Sequence, residues 1–181
     1  MLQHKPQATE DELLRAELLQ VTELDLGEFA DAVPPGAGEV VRVLGVALAV
    51  KVFNAWPGVF LRVPAAQSNR VDGQRRRAEL LRVLDQAELL QLCTAWGGEP
   101  LRVPVLRSLL SAKRQRWLRT THDALTSGHP PAVSSKAEAI YVMGMRLAAA
   151  GMAMTSHQIE MVLDSPEPGA DDRQRPLFAA T

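Results

Sequence analysis

A ten-residue phrase occurs twice in this chain, forty positions apart: Ala55-Trp56-Pro57-Gly58-Val59-Phe60-Leu61-Arg62-Val63-Pro64 and Ala95-Trp96-Gly97-Gly98-Glu99-Pro100-Leu101-Arg102-Val103-Pro104, identical at seven of ten positions. Each copy ends an apolar run of helical length, breaks at Pro or Gly after a Trp, continues with strand chemistry and stops at a proline. That pattern reads as helix, glycine turn, short strand, stop, with Gly58, Gly97 and Gly98 as the turn residues. A strand this short leaves its backbone donors and acceptors unpaired unless another strand lies beside it. The repeat supplies the partner: Leu61, Arg62 and Val63 are expected to pair with Leu101, Arg102 and Val103. Pairing inside one chain is the expectation, because a covalently linked copy has the higher effective concentration. A domain-swapped homodimer satisfies the same hydrogen bonds, so oligomeric state stays open.

The remaining pattern is helical. Thr9 and Glu12 have capping-box spacing, and Leu13, Leu14, Leu18 and Val21 form one apolar face, which predicts a first helix over residues 10–22. The breaker cluster at residues 33–38 reads as a linker, with the segment before it a loosely attached arm. Residues 39–56 are apolar almost all round, and alignment with the second copy, where Asp85 and Glu88 form a capping pair, decides for one helix over a buried strand. Residues 65–73 read as loop and 74–84 as a short basic helix. After Pro104, the residues Leu106, Leu109, Leu110, Trp117 and Leu118 fit a long helix. Its other positions hold Arg107, Lys113, Arg114, Arg116 and Arg119, a positive stripe. Ser135 with Glu138 caps a helix that stops at Gly151, and Thr155 with Gln158 caps a last short one. From Ser165 on, Pro, Gly, Asp and Arg predict a disordered tail. The fold expected is mainly α, with two very short strands forming a small antiparallel pair and helix-turn-helix-like helices near the C-terminus. The divisions expected are an acidic arm over 1–32, a tandem helix-turn-strand core over 39–104, a basic and helix-turn-helix-like region over 105–164, and a tail over 165–181.

At 181 residues with 46% hydrophobic content, the chain can bury a core. One cysteine, Cys93, rules out an intrachain disulfide, and four scattered histidines without Cys partners give no structural zinc site. No metal and no cofactor are expected, and a reducing cytoplasm suits the composition. The first twelve residues lack the apolar region of a signal peptide. The most apolar run, 40–52, is interrupted by Arg42 and Lys51 and falls short of the roughly 20 residues a bilayer span requires, so no membrane partner is expected. Charge is uneven: residues 1–32 carry a net −6 and residues 70–119 a net +6. Such asymmetry bears on partners rather than on fold.

The second repeat and the segment after it resemble the Mor/C family, the transcription activators of Mu-like phages. The residues that carry the resemblance are the helix Leu89-Leu90-Gln91-Leu92-Cys93, the pair Gly97-Gly98, the strand Leu101-Arg102-Val103-Pro104, the long basic helix and the terminal helix pair, over roughly residues 84–163. The resemblance implies an intertwined dimerisation unit with strands paired across a twofold axis, and a C-terminal helix-turn-helix that binds promoter DNA. The family pattern has one glycine-strand phrase per chain, where this sequence has two. The last helix here holds Glu160 and Asp164 and no Arg or Lys.

Two readings of the basic helix stay open: a stripe that lies along DNA phosphates, or a solvated face that balances the acidic arm. Trp56 and Trp96, as helix-end residues before a turn, are expected as core anchors rather than a stacking pair. Arg62 and Arg102 are expected on the wet face of the ribbon, opposite the side chains of Leu61 and Val63. His122-Asp123 are neighbours on a helix and are expected to diverge, and Cys93 is expected as an inert core thiol. With no G-x-S-x-G, no phosphate-cradling glycine loop and no H-E-x-x-H, there are no candidate catalytic residues and no enzyme is expected. Two functions are consistent with these features. One is a phage-type transcription regulator that binds DNA through its basic middle and C-terminal helices; the other is a protein-interaction module or inhibitory partner that pairs with itself or a related regulator and does not bind DNA.

Overall fold

A computed structural model of the protein describes residues 8–67, 70–128 and 130–166. Its elements in order are α1 (Glu10–Leu19), α2 (Glu23–Glu28), a short 3-10 turn (Ala30–Ala32), α3 (Pro35–Leu44), α4 (Val46–Ala55), β1 (Phe60–Arg62), α5 (Val71–Leu80), α6 (Gln86–Trp96), β2 (Pro100–Arg102), α7 (Arg107–Thr126), α8 (Lys136–Ala149) and α9 (Ser156–Asp164). Among the described residues the protein is mainly helical with one two-stranded antiparallel sheet. It divides into two compact units, residues 20–110 and residues 1–19 with 111–181.

The first unit is built on the repeat. The strands pair inside one chain, with Leu61 opposite Leu101, Phe60 opposite Arg102 and Arg62 opposite Pro100. Leu101 is the residue forty places after Leu61, so the central pair joins a residue to its own repeat equivalent. The flanking pairs are then exchanged by the repeat, which is the pattern of a twofold interface closed within one chain. The bonds just outside the ladder follow the same rule: Val63 N–H donates to Glu99 O at 3.4 Å and Val103 N–H to Val59 O at 3.0 Å. Val63 and Val103, expected as strand residues, therefore sit one step past the ladder yet keep its hydrogen bonding. The turns repeat as well, since the residue three places after each Trp donates back to the Trp carbonyl, at 3.2 Å in the first copy and 2.9 Å in the second.

Core positions obey the forty-residue offset. Val40 and Leu80, Leu44 and Leu84, Ala49 and Leu89, Val52 and Leu92, Phe53 and Cys93, and Val63 and Val103 are buried in equivalent pairs in one cluster. Burying each larger side chain contributes about 1.5–3 kcal/mol before chain entropy is counted. Trp56 and Trp96 pack half-buried against the same cluster as anchors. Across the helices, Gln91 Nε2 donates to Leu44 O at 2.9 Å, tying α6 to the end of α3, and Lys51 pairs with Glu88.

Gly58 and Gly98 both hold positive φ, 76° and 90°, the conformation glycine adopts without a steric penalty. Gly97 has ordinary φ, but a Cβ there would lie 2.2 Å from Cys93 O, so its role is close approach.

Several element boundaries differ from the sequence reading. Residues 39–56 are not one helix: α3 and α4 meet at Gly45, with φ 76°. Gly45 stands forty places before Asp85, the cap of α6, so the break is itself repeated. The breaker cluster at 33–38 is no linker, because Pro35 starts α3 at a position where its missing N–H costs nothing. Nor is the preceding segment a loose arm. Thr22 and Asp25 form a capping box for α2, and Val21 is buried with its backbone bracketed by Asn54. The basic helix begins at Val71 and gives way to a turn after Leu80, four residues earlier than expected.

The second unit holds α1, most of α7, α8 and α9 around Leu18, Leu118, Ile140, Met143, Leu147 and Ile159. Helix α1 ends at Leu19, short of the expected residue 22, and Leu18 is fully buried among the C-terminal helices. The compact units thus part the acidic segment, α1 going with the C-terminal helices and α2 with the repeat. Helix α8 stops as expected at Gly151 (φ 77°), where Gly151 N–H donates to Ala148 O and Met152 N–H to Leu147 O, satisfying two of the end carbonyls. A capping box of Thr155 and Gln158 then opens α9. The tail expected to be disordered lies, from residue 167 on, outside the described residues.

Candidate nucleic-acid interface

Strand alternation puts Leu61 and Leu101 toward the core and leaves Phe60, Arg62, Pro100 and Arg102 exposed on the outer face of the ribbon. The Arg102 guanidinium lies 5.5 Å from the centroid of the Phe60 ring across the ladder, a cation–π distance. Arg62 stands opposite Pro100, which offers no aromatic ring.

Each strand borders a cleft, and the two clefts are repeat equivalents. One, of about 260 Å³, is lined by Trp56, Phe60, Leu61 and Arg62 of the first copy with Arg76, Glu79 and Leu80 of α5. The other, of about 680 Å³, is lined by Trp96, Pro100, Leu101 and Arg102 with Gly36, Glu39 and Val40 of α3, and extends to Pro104 and Val105. Trp, strand Arg, helix Glu and helix aliphatic recur in both; Arg76 against Gly36 does not. On the β1 side a larger cavity of about 930 Å³ adjoins, where Arg62 and Arg76 are joined by Arg70, with Asp72 and Glu99 also in the wall. Helix α5 is held there by Arg77, which donates to Ala65 O at 2.8 Å and to Ala66 O. The pair Arg75–Glu79, at 3.6 Å on the surface, adds little stability.

The basic residues of α7 are not one stripe. At about 100° per residue, Arg107 and Arg114 fall on one side while Lys113, Arg116 and Arg119 fall on another. Arg107 also belongs to the repeat unit and the other four to the second unit. Leu109 and Leu118, both fully buried, lie in separate clusters, so different faces of the helix are apolar along its length. Arg119 is committed locally: its Nη2 donates to Val162 O at 2.8 Å and Ser165 O at 2.9 Å, capping the last turn of α9. This is a cation at the negative end of a helix. Arg114 and Lys113 are half-buried; Arg116 and Arg107 are exposed. On α9, Asp164 is held by Lys136 at 2.6 Å while Glu160 is exposed.

His122 and Asp123 do approach each other, contrary to the divergence expected, with Nδ1 3.4 Å from a carboxylate oxygen; His122 Nε2 has no hydrogen-bond partner. The contact is long, and among the described residues no serine or cysteine hydrogen-bonds to the ring. Cys93 is buried, and burial pushes its thiol up against a smaller pull from Arg77. It is a core thiol, as expected.

Arg76 of α5, which lines the β1 cleft, and Arg70 just before that helix, which lines the adjoining cavity, are not among the site residues expected from the sequence. The available signal was the repeat itself: Arg70, Arg75, Arg76 and Arg77 align with Ala30, Pro35, Gly36 and Ala37, so the positive charge was placed on one copy only. These features define a helical protein built on an intrachain pseudo-twofold strand pair whose outer surface is basic on one side. No protein-family model matches the chain, and no curated protein and no solved structure matches it. Among the described residues, no helix is long and apolar enough to cross a membrane.

Proposed function

We propose that this chain is a non-catalytic DNA-binding transcription regulator of the Mor/C kind, acting in the cytoplasm. The observation that carries the reading is the register. Leu61 paired with Leu101 gives one chain the symmetric strand pair that the resemblance implies for two, and the arginines of the ribbon project from it. The positive surface of Arg62, Arg70 and Arg76 is chemistry suited to phosphates, which supply sequence-independent and salt-sensitive affinity, and Arg107 and Arg116 are further exposed cations on α7, each within its own unit. Titration of a labelled promoter-length duplex at rising salt tests this reading. Binding that weakens steeply with salt is expected; no binding at low salt, or binding insensitive to salt, overturns it.

A second reading has its own observation. With Arg119 capping α9 and Glu160 on the surface of that helix, the C-terminal helix pair is poorly suited to phosphates, which favours a module that pairs with itself or a related regulator. Co-purification separates the two, since the first reading expects nucleic acid in the eluate and the second a protein.

A further inference from the structure

The two ribbon clefts share one frame and differ in charge. In the frame, Trp56 corresponds to Trp96, Arg62 to Arg102, Glu79 to Glu39 and Leu80 to Val40. Such correspondence follows from the self-paired register, which carries each cleft onto the other. The difference lies in the helix that walls each cleft. Helix α5 brings Arg76, and Arg70 precedes it at the adjoining cavity; the equivalent positions near α3 are Gly36 and Ala30, without charge. On the ribbon itself, Arg102 lies over the Phe60 ring, while Arg62 faces Pro100 and lines both cavities on the β1 side.

We propose that the cleft between β1 and α5, together with the cavity that adjoins it, is the phosphodiester-binding site of this protein, with Arg62, Arg70 and Arg76 as its cations, and that the counterpart cleft between β2 and α3 is not. Nucleic acid thus engages one side of a pseudo-symmetric core, so the target need have no twofold symmetry. A dimer built from two identical chains presents both clefts alike; two copies within one chain can differ, and here Arg76 stands where the other copy has Gly36. The inference rests on the DNA-binding reading and narrows it to one face. Asp72 and Glu99 in the same wall oppose the cations in part. An acidic protein segment is the rival occupant, and whether the duplex binds at all separates the two.

The test uses the full chain and a fluorescein-labelled duplex of about 24 base pairs, with anisotropy followed between about 50 and 200 mM salt. The double variant Arg62→Ala/Arg76→Ala is expected to weaken binding at low salt by tenfold or more and to lower the salt slope by about two, one per lost phosphate contact. The counterpart variant Arg102→Ala is expected to change affinity by less than about threefold at low salt, since it neutralises no phosphate contact. Thermal melting checks that each variant is folded. A third variant adds a cation without removing anything: a side chain at Gly36 would enter open space, so Gly36→Arg supplies the missing charge and should steepen the slope by about one. Equal losses in the β1 and β2 variants, both folded, overturn the one-sided site while leaving DNA binding intact. Failure of the wild-type chain to bind the duplex at any salt overturns DNA binding and the inference with it. A competition arm with inorganic phosphate, held at matched ionic strength, is expected to do no more than sodium chloride. Selective displacement by free phosphate assigns the cleft to a small anion instead and overturns the proposal.

Discussion

Asn54 brackets Val21 from both sides of its peptide: Val21 N–H donates to Asn54 Oδ1 at 2.8 Å, and Asn54 Nδ2 donates to Val21 O at 2.8 Å. This one side chain fixes the entry to α2 on the end of α4, across thirty-three residues of sequence. Asn54→Ala removes both bonds and leaves the polar backbone of a buried valine unsatisfied, at a cost of about 1–3 kcal/mol. Urea unfolding should show a lower midpoint with an unchanged slope. A midpoint within error of wild type means that water replaces the bracket.

The three turn glycines should rank by the space their side chains would meet. Gly98→Ala meets nothing and costs about 1–2 kcal/mol for positive φ alone. Gly58→Ala adds a Cβ 2.7 Å from Val105 Cγ2, so it costs more, and Val105→Ala should recover part of the difference. Gly97→Ala meets the backbone carbonyl of Cys93 and should be the worst. Calorimetric melting of the three variants checks the order.

Val103→Pro deletes the donor to Val59 O and alters a fully buried position, at about 3 kcal/mol or more. Because the strand pair belongs to the core, far-UV circular dichroism should show loss of helix together with the strand. A well-folded variant shows that the ribbon is dispensable to the core.

Arg119→Ala uncaps α9 and should lower thermal stability by about 1–2 kcal/mol, with Arg119→Lys intermediate because lysine keeps the charge at the helix end but not the planar guanidinium. If duplex binding falls while the melting temperature stays constant, Arg119 acts on phosphate rather than on the helix end.

Two side chains of α8 set opposite pH limits. Hydrogen bonds from the Ser134 side chain and backbone hold the Glu138 carboxyl below its ordinary value. Its contribution is therefore present above the unfolded value and lost as pH falls through the folded one. The Asp164 carboxylate bonded to Lys136 raises that amine, so its contribution is present below the unfolded value and lost as pH rises through the folded one. Both groups are at the surface, so the effects are small. Ser134→Ala should move the carbon-detected titration of Glu138 upward, and Asp164→Asn should move that of Lys136 downward; an unmoved midpoint in either case removes the assigned partner.

The sequence by itself determined the local features of this protein. The strands, the turns at Gly58 and Gly98, the caps at Asp85, Ser135 and Thr155, and the stop at Gly151 are all written within a few residues, because hydrogen bonds at helix ends and positive φ are satisfied by near neighbours. The break at Gly45 was written there too, opposite the capping Asp85, but the surrounding valines suit a buried helix and mask it. Tertiary structure alone decided what depends on distant partners. It set Leu61 on its own repeat equivalent, and it gathered α1 with the C-terminal helices through Leu18. It spent Arg119 on a carbonyl more than forty residues away and brought Arg62 beside Arg76 in one cleft. An arginine in a sequence carries the same charge wherever it falls. Whether that charge faces a helix end, an aromatic ring or open solvent is decided by the packing of apolar faces that places it.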